Sequence, residues 1–157
     1  MTRETKYLFL AITTNLLVAF LIFYVIVDFS LSEITNFIAD FLLNLLVGIS
    51  GFYLTGYYIG NALAKCKRIR ISYGFLSAFL ILLIGTVAGS TVGFIQEGLP
   101  APAQHHYSLI ENITDYYFKP LFWVYFFGFI PTLVLGIVLG LYLERKPGSK
   151  ELNYDRE

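Results

Sequence analysis

Two adjacent histidines, His105 and His106, stand in one polar stretch with Gln96, Glu97, Glu111 and Asp115, the densest group of potential ligands in the chain. Imidazole nitrogens together with a carboxylate oxygen are the donor set a transition metal takes, so a metal bound by both histidines and one carboxylate is one chemistry to test. The spacing argues against it, because neighbouring histidines in an irregular loop point apart, unlike the i, i+4 pair of a helical zinc site. A solvated polar loop that recognises a partner or ligand is the alternative. The other ingredients of catalysis are missing: the chain has a single cysteine, Cys66, no glycine-rich phosphate loop and no nucleotide fingerprint. No cofactor and no nucleic acid is expected.

The elements that must position this group are unusually apolar. Of 157 residues, 57% are hydrophobic and 14% charged, whereas a soluble domain carries about a quarter charged residues. Disorder is excluded at this apolarity. The charged residues all fall outside four apolar stretches, Tyr7 to Val27, Phe41 to Ala64, Ile71 to Ile95 and Pro120 to Leu143. At 1.5 Å per residue the shortest extends about 32 Å, enough to cross the hydrocarbon core. A β-barrel would need strands alternating in polarity, and runs such as Leu76 to Ile84 do not alternate. The expected fold is a single all-α domain over residues 1–157, a tight bundle of four transmembrane helices followed by a mobile cytoplasmic tail, 144–157. The first stretch is too long for the core of a secretory signal and is read as a permanent span.

Basic residues set the orientation. Every Lys and Arg except Lys119 lies before span one, between spans two and three, or after span four. Both termini are therefore expected in the cytoplasm of a cell-membrane protein, with Asp28, Glu33, Asp40, Glu97, Glu111 and Asp115 outside. Lys65, Lys67, Arg68 and Arg70 place positive charge at the inner bilayer surface, where anionic lipid would be attracted.

The outer links carry their own signals. Ser30 with Glu33 and Ser108 with Glu111 have capping-box spacing, so a short interfacial helix is expected in each. Glu97 to Pro102 reads as turn-rich and extended, and Pro120 should occupy the first turn of span four. Asn112-Ile113-Thr114 matches a glycosylation sequon.

Inside the spans, small residues recur at i, i+4: Gly56, Gly60 and Ala64; Gly85, Gly89 and Gly93; Gly128, Thr132, Gly136 and Gly140; and Ala11, Asn15 and Ala19. Such faces let helix backbones approach, which holds helices together in lipid. Pro131 should kink span four. By depth, Asn15, Thr55 and Ser77 are expected to form one polar cluster, and Asn44, Ser90 and Thr91, with Tyr24 and Trp123, a second near the outer end. No Asp, Glu, Lys, Arg or His lies within a span, which weakens proton-coupled transport and intramembrane hydrolysis. The expected function is binding, as an accessory or assembly subunit of a membrane complex or as a homo-oligomer. A small oligomeric transporter or channel is the alternative, and an enzyme or metal protein using the histidine loop comes third.

Overall fold

The computed structural model describes residues 1–66, 71–99 and 108–144, all-helical apart from short turns and caps. Six α-helices follow in order: α1 (Arg3–Ile26), α2 (Leu31–Asp40), α3 (Leu42–Ala64), α4 (Ile71–Gly93), α5 (Leu109–Ile113) and α6 (Lys119–Glu144). A π-helical turn, Phe94–Gly98, extends α4, and a second, Thr114–Phe118, joins α5 to α6. α1, α3, the α4 run to Gly98 and the α5–α6 run are each long and apolar enough to cross a bilayer.

The four long helices form a ring in which α4 packs on α3 and α6 along its length, and α1 closes the circuit with looser contacts to both. The end of the bundle that holds the start of α1 and the end of α6 is the proximal end, and the other the distal end. The hydrophobic core sits proximally and draws on all four helices: Leu8 and Ile12, Leu63, Ile81, and Leu139 and Leu143. Beyond Ile12 no residue of α1 is buried.

Close backbone approach explains most glycines. Gly56 and Gly60 face α1, where a Cβ on Gly60 would stand 2.6 Å from the Thr5 Cα. Gly85 and Gly89 face α3, against Phe52 and the Asn44 carbonyl. Gly136 and Gly140 face α4, and a Cβ on Gly140 would stand 2.5 Å from the Ile71 carbonyl. Gly93 lies under the Asn44 amide and the Tyr116 ring. Gly128 is different, since a Cβ there would meet nothing closer than 3.7 Å. Three further glycines make the approach: Gly48 and Gly51 on a second face of α3, toward α4, and Gly74, against the backbone of Gly140.

Local chemistry sets the ends of the elements. Thr2 caps α1 through Thr5, and Ser30 caps α2 through Glu33. Between them Asp28 and Phe29 turn the chain with φ of 50° and 60°, a region that favours glycine and that Asp tolerates better than Phe. α2 then holds to α1 through Phe37, whose ring lies 4.7 Å from that of Phe23, and its Ile34 is buried.

Two sequence expectations need correction. Glu97 and Gly98 are helical, within the first π turn, and not extended. Pro120 is not at a free helix start, because α5, the second π turn and α6 run on without a break. Proline lacks the N–H that would bond to the carbonyl of Tyr116, and its ring crowds that carbonyl, so the wider turn just before it absorbs the lost bond. In that turn Lys119 N–H bonds back to Thr114, five residues earlier. The first π turn stands at the same offset before Pro100 in the sequence, and Leu99 N–H bonds back to Phe94.

Candidate functional site

The two π turns meet at the distal end and, with α5, build a polar cap over α3 and α4. Its centre is Gly98, where a Cβ would lie 3.0 Å from the Tyr116 ring. The Gly98 carbonyl accepts a 2.8 Å hydrogen bond from Asn112 Nδ2. Asn112 is buried, so the sequon at 112–114 is part of the cap and its amide is spent on the neighbouring turn. Tyr116 Oη donates to Glu97 Oε2 at 3.2 Å, and Tyr117 Oη donates to Thr91 Oγ1 at 3.2 Å. The Phe94 ring packs against both tyrosines, 6.3 Å from Tyr116 and 5.5 Å from Tyr117. These bonds tie the end of α4 to the start of the last helical run.

α5 begins with a complete capping box. Ser108 Oγ accepts from Glu111 N–H, and Glu111 Oε2 accepts from Ser108 N–H at 2.7 Å and from Ser108 Oγ at 2.9 Å. Those bonds, the backbone one foremost, hold the Glu111 carboxyl below its usual range. Glu111 precedes the uncharged apolar stretch that starts at Pro120. One turn further on, Asp115 pairs with Lys119 at 2.7 Å, both exposed, so the pair contributes little stability.

Of the six residues singled out in the polar link, Glu97 accepts from Tyr116, with Gln96 exposed beside it, while Asp115 pairs with Lys119. Glu111 is turned inward to its cap. His105 and His106 lie outside the described residues. Among the described residues no three His, Cys, Asp or Glu side chains stand close enough to hold a metal. What the cap presents is a set of amide and carboxylate oxygens framed by aromatic rings, suited to hydrogen-bonded recognition.

The polar residues deeper in the bundle are placed as follows. Asn15 Nδ2 donates to Thr132 Oγ1 at 2.9 Å, joining α1 to α6 beside Pro131. Thr132 is 1% exposed. Thr55 is half-buried on α3 and Ser77 is buried on α4. Near the distal end Ser90 is buried, Thr91 takes the bond from Tyr117, and the Asn44 amide lies over Gly93. Trp123 is exposed and stacks on Phe127, while Tyr24 packs edge-on against Phe29. Lys65 is exposed just past α3; Lys67, Arg68, Arg70 and the tail from 145 lie outside the described residues.

Sequence reasoning missed Asn112, Tyr116, Tyr117 and Gly98 as the cap's framework. One signal would have pointed to the turns that carry them: a proline two residues beyond each, at 100 and 120. No protein-family model matches the chain, and neither a curated protein nor a solved structure matches it.

Proposed function

We propose that the chain is a four-span protein of the cell membrane, with both termini in the cytoplasm, and that it acts by binding. It serves as an accessory or assembly subunit of a membrane complex, or as a small homo-oligomer, and recognition takes place at the distal cap. The observation that carries this reading is the pair of π turns locked together through Asn112, Gly98, Tyr116 and Glu97. π turns are uncommon and concentrate at functional sites, and a rigid frame that holds exposed polar groups is what partner recognition requires. Support also comes from the bundle interior. Helix backbones in contact at Gly60, Gly74, Gly89 and Gly140 fill the space a conduction path would need. The orientation rests on the basic residues, all but Lys119 at the proximal end or in the segments that leave it.

The test is a mass measurement on the full chain purified in mild detergent, repeated with Gln96→Arg/Glu97→Lys. A defined homo- or hetero-oligomer that this variant dissociates is the expected result. A wild-type monomer, or an assembly of unchanged mass in the variant, would remove the cap from consideration.

A further inference from the structure

A groove of about 530 Å³ runs between α1 and α3 on the outside of the bundle, lined by Phe9, Ile49, Ser50, Tyr53, Leu54 and Tyr57. Phe9 and Tyr53 meet edge-on at 5.1 Å, and the Tyr53 hydroxyl shares a 2.8 Å hydrogen bond with Thr13 Oγ1. The floor and sides are apolar and aromatic, and its upper end is at the exposed hydroxyl-bearing Ser50.

Charge lies at one end only. On α1, Lys6 precedes Phe9 by three residues and Thr13 by seven, so the three share one helix face, the face that meets Tyr53. On α3, Lys65 follows Leu54 by eleven residues, three turns later on the side of Leu54, with Asn61 between them. Both lysines are exposed. Thr5, the neighbour of Lys6, is in backbone contact with Gly60, and its hydroxyl donates to Asn61 at 3.4 Å. The two helices are thus held together at the level of Lys6, just past Phe9 and Tyr57, where the lining of the groove ends. Lys65 stands about 16 Å along α3 from Leu54, close to half the thickness of a bilayer's hydrocarbon core.

We infer that this groove holds one anionic phospholipid, with an acyl chain along Phe9, Tyr53, Leu54 and Tyr57 and its phosphate at Lys6 and Lys65. The inference rests on the bilayer reading given above and adds a lipid ligand at the proximal end, apart from the distal cap. Charge complementarity selects the occupant: a zwitterionic lipid or a neutral helix would fill the apolar groove but would gain little from the two lysines.

The test uses the full chain reconstituted with equal amounts of phosphatidylglycerol and phosphatidylcholine, then released into mild detergent for native mass spectrometry. One retained phosphatidylglycerol per chain is expected. Lys6→Gln/Lys65→Gln should cut its preference over phosphatidylcholine by about 25-fold, about fivefold for each lysine. Ser50→Leu keeps the lysines, changes an exposed residue and blocks the groove, so it should reduce retention of both lipids. Added inorganic phosphate should leave the lipid bound. Equal retention of the two lipids by the wild type, full retention in both variants, displacement by phosphate, or a dimer that forms through the groove and excludes lipid would each overturn the inference. Alkaline carbonate extraction separates the two readings: a chain that stays in the membrane without lipid preference refutes the lipid site alone, and a chain that is extracted refutes the bilayer reading with it.

Discussion

Gly74→Ala adds one methyl group at the tightest crossing of α4 and α6. Built on the backbone, that Cβ falls on the Gly140 nitrogen, 2.5 Å from the Gly140 Cα and 2.7 Å from the Gly136 carbonyl oxygen. All three are main-chain atoms, so no side chain can swing away, and ordinary contact requires the helices to part by about 1 Å. An overpacked methyl costs about 1–3 kcal/mol. The widened crossing also weakens dispersion contacts, each about 0.1–0.2 kcal/mol, on both sides of it. Against this, alanine is favoured over glycine in a helix by about 1 kcal/mol. The variant should be destabilised by about 1–2 kcal/mol. Gly128→Ala on α6 is the control, because its Cβ would meet nothing nearer than 3.7 Å; it gains the helix preference and should be neutral or more stable by up to about 1 kcal/mol. Reversible unfolding in mixed micelles, followed by circular dichroism, gives both values. Equal stability of the two alanine variants would refute the backbone-contact reasoning.

Asn15→Leu and Thr132→Val remove the hydrogen bond between α1 and α6, and a double-mutant cycle in the same assay should return a coupling of about 0.6 kcal/mol and not above about 1.7. Phe29→Gly should be more stable than Phe29→Ala by about 1 kcal/mol, since both lose the ring against Tyr24 and only glycine relieves the positive φ. The Glu111 carboxyl is held below its ordinary range in the folded cap, so its contribution is present above the unfolded value and is lost as pH falls through the lower folded one. Protection of the α5 amides, corrected for the intrinsic pH dependence of exchange, should therefore fall on acidification in the wild type and show no such step in Glu111→Gln.

The four long helices were legible because length and apolarity along the chain fix them. Observed ends at Ile26, Leu42, Ala64 and Glu144 lie close to the apolar boundaries. The Ser108–Glu111 box was legible for a similar reason, as its partners are three residues apart. Lateral neighbours were not. Depth alone places Asn15 level with several polar side chains, and only the order of helices around the ring selects Thr132, on the last helix. Gly74 escaped notice because it lies outside the i, i+4 ladder, at the proximal start of α4, where its partner Gly140 is known only once the two helices are aligned. In the cap, Glu97 and Asp115 were found by their charge, whereas Asn112 and Tyr116 depend on a π turn that periodicity at 3.6 residues does not register.

The most direct test of the account is cysteine accessibility in intact cells, in a Cys66→Ser background, with single cysteines at the exposed positions Ser32, Glu97 and Lys65 and at the half-buried Glu4. A membrane-impermeant maleimide should label positions 32 and 97 at once and positions 4 and 65 only after permeabilisation. Labelling of position 97 that requires permeabilisation, or labelling of both ends from the same side, would contradict a four-span bundle that presents its cap outside the cell.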